Sequence, residues 1–175
     1  NKVQGMYGDI NSVYLSKSLD VVYSMLEKYP RVFALRVDLR YADDISSSDP
    51  DSPTCFQRVD SSVITRFIES LKSQLREVHR RSGWIGSPSL PGYVWVREQC
   101  GGDKPHYHLV LFFDKDRFAF LGDYTNPDAD NMAVRIQRAW CSALGLDFPY
   151  YSTLAHFPNN NRYIIDRGSA LLRLS

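Results

Sequence analysis

The chain has 175 residues, 43% hydrophobic and 23% charged, which suits one globular domain with a true core. Its formal net charge is +1, so a nucleic-acid surface has to be a local patch and not a global field. No apolar run approaches the ~20 residues of a membrane span, and no signal-peptide pattern opens the chain. Its three cysteines, Cys55, Cys100 and Cys141, have no CxxC spacing. They point to a reducing compartment such as the cytoplasm, with neither a disulfide framework nor a zinc knuckle.

The first element is a helix from about Ile10 to Lys28. Val13, Leu15, Leu19, Val22, Tyr23 and Leu26 recur at near-helical spacing, Asn11 or Ser12 caps the start, and Pro30 ends it. A strand follows over 32–41. Phe33, Leu35, Val37 and Leu39 form an apolar back, and Ala34, Arg36, Asp38 and Arg40 a charged front. Ala42 to Pro53, rich in Asp, Ser and Pro, is an acidic surface loop. The clearest helix spans about Ser61 to Arg80. Val63, Ile64, Phe67, Ile68, Leu71, Leu75 and Val78 form its buried stripe, with Asp60 or Ser61 as N-cap and Arg66, Lys72, Arg76 and His79 exposed. Arg80 and Arg81 suit its C-terminus electrostatically. Ser82 to Pro91 is a loop.

Gly92 to Gln99 and His106 to Phe113 read as two strands joined by a Gly-Gly-containing hairpin, with Asp114 closing the second. Asp128 to Leu144 is a third helix, with Met132, Ile136, Trp140 and Leu144 on one face and Gly145 as its C′ residue. The aromatic stretch Phe148 to Phe157 reads as a strand, with His156 read as a core histidine and, as the alternative, one that approaches the site. Asn159 to Asn161 form a turn, and Arg162 to Asp166 a short strand. The order strand, helix, strand, strand, helix, strand predicts an α+β, ferredoxin-like (split βαβ) antiparallel sheet. The two long helices then share one face. The N-terminal helix or a C-terminal segment covers part of the other.

The chemistry concentrates in the hairpin. Strand side chains alternate, so His106 and His108 point the same way, roughly 6 to 7 Å apart, while Tyr107, Leu109, Leu111 and Phe113 enter the core. If Glu98 sits opposite either histidine, a carboxylate joins two imidazoles on one face; a slip of one residue sends it to the other. Two imidazoles at this spacing reach one metal ion, and the bland reading, two ordinary histidines with satisfied hydrogen bonds, stands beside it.

The His106-Tyr107-His108 triplet resembles the motif of the HUH endonuclease superfamily. With Val37-Asp38-Leu39-Arg40 and Tyr93-Val94-Trp95-Val96-Arg97-Glu98-Gln99, it looks like the YagK/YfjJ type of inovirus and prophage replication proteins over about Arg31 to Asp166. The resemblance implies a divalent ion, Mg²⁺ or Mn²⁺, on Glu98, His106 and His108. It implies nicking and joining of single-stranded or hairpin DNA at a replication origin, with a host helicase as a further partner. A tyrosine attacks the phosphorus, forms a 5′-phosphotyrosine and frees a 3′-OH that primes rolling-circle replication. Arg36, Arg40 and Arg97 are candidates for the DNA backbone and Trp95 for base stacking. For each arginine, an ordinary solvated ion pair is the competing reading.

Such initiators carry the nucleophile on a helix after the HUH strand, as Tyr followed closely by Lys. No such pair follows His108, which places the nucleophile beyond Ser175 in a chain truncated before that helix. Within the chain, Tyr150, Tyr151 and Tyr163 sit in strand-like context, and of these Tyr163 is a candidate. Tyr14 in Tyr14-Leu15-Ser16-Lys17 is another, because conjugative relaxases place their tyrosine before the HUH strand. Cupins need a glutamate soon after the histidine pair, and amidohydrolase barrels need more chain. The remaining rival is a non-catalytic DNA-binding or regulatory prophage protein that kept the fold.

Overall fold

The computed structural model describes residues 12–43, 51–99 and 104–172. Five strands form one antiparallel sheet: β1 (Arg31–Leu39), β2 (Gly92–Glu98), β3 (His106–Asp114), β4 (Ala155–His156) and β5 (Arg162–Asp166). The order across it is β2-β3-β1-β4, with β5 also paired to β1. Four helices accompany it: α1 (Ser12–Lys28), α2 (Val63–Ser82), α3 (Met132–Leu144) and α4 (Arg167–Leu172).

The alternation read in β1 and β3 decides which face is the core. Phe33, Leu35, Val37 and Leu39 meet Tyr107, Leu109, Leu111 and Phe113, none more than 5% exposed. The seven-residue stripe of α2 is buried against this back face, and α3 packs beside it. Burying such side chains contributes about 1.5–3 kcal/mol each before entropy is counted. Trp140 of α3 sits at the centre, fully buried, with ring contacts to Tyr41, Phe67 and Tyr107. Its indole N–H donates to the Arg40 carbonyl at 2.7 Å.

The front face is divided. At one end Val32, Ala34 and Phe112 are covered by Met25 and Leu26 of α1, with Val21, Val22, Val94, Val110 and Ile165 around them. The N-terminal helix is therefore the cover that the apolar front residues required. At the other end Arg36 and Arg40 of β1's face and Val96 of β2 are exposed. No helix among the described residues is long and apolar enough to cross a membrane.

Several local expectations are corrected. Asn11 lies outside the described residues and Ser12 is already helical. The N-cap position of α2 is Ser62, not Asp60 or Ser61. Asp60 instead accepts the Ser62 N–H and forks onto Arg66, which is half-buried and also bonds the Ala143 carbonyl. Lys72 is likewise half-buried. His79 is not a solvated side chain: it bonds the Gly86 carbonyl and stacks edge-on against Trp84. Helix α3 starts at Met132, not Asp128, because Asn131 caps it by accepting the Val134 N–H. Gly145 ends it in the left-handed conformation, as expected.

The stretch 148–157 is not one strand. It turns through a short 3-10 segment, Ser152–Leu154, and pairs only at Ala155–His156. The border strand is thus interrupted: between the pairs Leu35↔Arg162 and Asp38↔His156, Arg36 and Val37 face residues 157–161. Most of the acidic loop, 44–50, lies outside the described residues, as does Cys100.

One glycine is irreplaceable on this geometry. Gly122 has φ +85°, and a Cβ there would stand 2.4 Å from Cβ of the capping Asn131. Gly122→Ala is expected to cost about 1–3 kcal/mol, by backbone strain and loss of the α3 cap. An unchanged urea midpoint would show that this turn yields at no cost.

Candidate functional site

The register of three strands assembles a row across the open end of the front face. Val96 lies opposite His108, His108 opposite Asp38, and Asp38 opposite His156. One rung further out, Glu98 lies opposite His106. The even hairpin register is therefore present, in the form that pairs Glu98 with His106.

His108 is held from both sides. Its Nδ1 is 2.8 Å from Oδ1 of Asp38, and its Nε2 is 2.6 Å from Oε2 of Glu98. Asp38 is only 6% exposed, so its carboxylate needs partners to offset desolvation. It also takes Arg36 Nε at 3.4 Å and stands 3.9 Å from His156 Nδ1. His106 is exposed and makes none of these bonds among the described residues. No three His, Cys, Asp or Glu side chains among the described residues are gathered as a ready metal shell.

The hydrogen bond that His108 donates to Asp38 pushes the His108 pKa above its ordinary value, partial burial opposes the shift, and Glu98 adds to it. A histidine raised in the folded state stabilises most at low pH. That contribution is full below the unfolded value of about 6.5 and is lost as pH rises through the folded one. Asp38→Asn is expected to bring the NMR titration midpoint of His108, measured without added metal, down toward that ordinary value. An unmoved midpoint would remove Asp38 as the cause.

Kinship comes from the sequence as a whole. The family model described as the YagK/YfjJ C-terminal domain matches residues 2–174. The chain belongs to this family. It is 34% identical to the uncharacterized protein YagK of Escherichia coli (strain K12) over 171 residues, 95% of this chain and 79% of that protein. It is 35% identical to the uncharacterized protein YfjJ of the same strain over 166 residues, 92% of this chain and 78% of that one. No solved structure matches.

In this YagK/YfjJ domain the other candidate residues are dispersed. Arg36 and Arg40 are exposed near the row. Trp95 and Arg97 are opposite Leu109 and Tyr107, hence on the back face, away from Glu98 and His108. Trp95 rests edge-on against Tyr107. Tyr163 is 57% exposed and opposite Ala34, four residues from Asp38 along β1, or about 13 Å. Tyr14 is 69% exposed on α1, seven residues and so about 10 Å before Val21, which packs toward the sheet.

Two members of the row were not singled out by sequence. Asp38 entered as one charge on an alternating strand and as part of Val37-Asp38-Leu39-Arg40, with no role of its own. His156 was placed in the core by its aromatic neighbours, with approach to the site as the alternative; its side chain is half-exposed beside Asp38, as the alternative has it. The signal that finds both is the pairing of β1 with β3 and β4, which no short turn announces.

Proposed function

We propose that this domain is a metal-dependent nickase of HUH type. It cuts and rejoins single-stranded DNA through a 5′-phosphotyrosine and so initiates rolling-circle replication. The observation that carries the reading is the register Glu98↔His106 with His108 on the same open face. The strand order β2-β3-β1-β4 with antiparallel neighbours supports it, since a ferredoxin-like split βαβ sheet has that order.

The donor types, one carboxylate and two imidazoles on one face, are ones that a divalent ion takes, although among the described residues the side chains are not gathered around one point. Asp38 on Nδ1 leaves Nε2 of His108 directed toward Glu98, the orientation in which a carboxylate commonly fixes a ligating imidazole. His106 stands beside Glu98 on the same face. A bound Mn²⁺ or Mg²⁺ would supply Lewis-acid polarisation of a phosphate oxygen. The chain's own groups do the rest. Arg36 and Arg40 are positioned to hold the sugar-phosphate backbone. The tyrosine oxygen bonds to phosphorus as the P–O3′ bond breaks, and the phenolic proton ends on the freed 3′-oxygen. Tyr163 and Tyr14 are the candidates inside this chain.

The test is incubation with origin-derived single-stranded DNA and Mn²⁺, followed by a denaturing gel and mapping of the labelled tyrosine. A covalent protein–DNA band is expected. DNA that binds but stays intact would favour a non-catalytic DNA-binding role. The roughly 13 Å between the Tyr163 and Asp38 rungs is the observation on that side.

A further inference from the structure

A cleft opens just past the end of β1, and the site described so far does not use it. Its volume is about 550 Å³, within the ordinary range for a pocket that takes a small organic group. Its lining includes Tyr150, Tyr151 and Leu154 from one segment, Thr54 from another, and the acidic Asp43 and Asp147. Tyr150 is 82% exposed and lies edge-on to Tyr151, with ring centroids 4.9 Å apart.

Both segments are fixed by hydrogen bonds within the fold. Gln57 bonds the amide and carbonyl of Ala42 and the carbonyl of Thr54, all at 3.0 Å. Lys104 Nζ bonds the Ala42 carbonyl at 2.9 Å. In the other segment, Tyr151 N–H donates to the Asp147 carbonyl and Leu154 N–H to that of Tyr151. A preformed cleft loses little entropy when it is filled.

We propose that this cleft receives one unstacked nucleobase of single-stranded DNA, with preference for a base that presents amino donors, guanine foremost. The proposal deepens the nickase reading and rests on it. Three features argue for a base. The exposed Tyr150 ring offers a stacking face, which any base can use. Asp43 and Asp147 are acceptor-only when ionised, so they repel phosphate and accept N–H donors. Guanine offers two adjacent donors on its pairing edge, whereas thymine offers one. Position gives the third argument. Ala42 is four residues beyond Asp38 on the same chain segment, and Leu154 is two residues before His156. A phosphate held at the histidine row therefore has a neighbouring nucleotide within reach of the cleft.

The experiment is fluorescence anisotropy of labelled oligothymidylates, without metal, each with one central base replaced by guanine, cytosine or adenine. The guanine oligonucleotide is expected to bind about tenfold tighter than all-thymidine. Tyr150→Ala should weaken all four by at least about fivefold, and Tyr150→Phe, which keeps the ring, should bind like the parent. Asp43→Asn with Asp147→Asn should erase the guanine preference while leaving all-thymidine binding unchanged. These residues lie outside the core, and melting temperatures equal to the parent's confirm that the variants are folded. A parent without base preference, a preference that survives both amide changes, or a Tyr150→Ala protein that binds like the parent overturns the pocket. If DNA is still nicked in that case, the pocket alone fails. If the parent binds no single-stranded DNA, the nickase reading falls with it.

Discussion

His108→Ala is expected to abolish Mn²⁺-dependent cleavage, lowering the rate by more than about 100-fold, because that side chain links the two carboxylates of the site. Its two nitrogens engage Glu98 and Asp38 at once. Alanine removes the link between the two carboxylates and, on the proposed nickase reading, one donor to the ion. Asp38→Asn should lose less, about 10- to 100-fold, since an amide oxygen can still accept from Nδ1. The comparison reads out on single-turnover gels with saturating DNA. His108→Ala also leaves Asp38 with only Arg36 and the more distant His156, so a melting curve belongs beside the rates. A folded His108→Ala protein that cleaves at the parent's rate would end the metal-nickase proposal.

Trp140→Ala carries the largest expected cost to stability, about 3–5 kcal/mol, measured as a urea midpoint. The indole is fully buried among Tyr41, Phe67 and Tyr107, whose own packing leaves no neighbour free to fill the gap. The change also orphans the Arg40 carbonyl, which accepts from the indole N–H. Trp140→Phe separates the two losses: it refills most of the volume and still lacks the donor. A Phe variant as stable as the parent would show that the hydrogen bond contributes nothing net. Because Arg40 lies two residues beyond Asp38, the core defect should also loosen the site end of β1.

The back face was legible in the sequence because it rests on period alone. Alternation in 32–39 and 106–113, and the heptad-like stripe from Val63 to Val78, each specify a buried side without reference to distant chain. Glu98 beside His106 was legible for a related reason: a short hairpin restricts register to few choices. Boundaries failed where one polar side chain decided them. Asn131 caps α3 and so starts it at Met132, four residues after Asp128, and Ser62 occupies the position given to Asp60 or Ser61. The aromatic stretch 148–157 has strand-like composition, yet its tyrosines wall a cleft and its backbone turns. The placement of Asp38 and His156 depends on pairing of β1 with segments 70 and 118 residues further along the chain, which composition does not encode.

Among the described residues, helix α1 covers one end of the front face and stops short of the other, so that the histidine row lies on a shelf backed by the sheet. An enclosed chamber takes in whole small molecules or the tip of a chain. A shelf has no such requirement. A polymer can be laid onto it sideways at any point along its length, a closed circle as readily as a linear strand, and lifted off again without being threaded through.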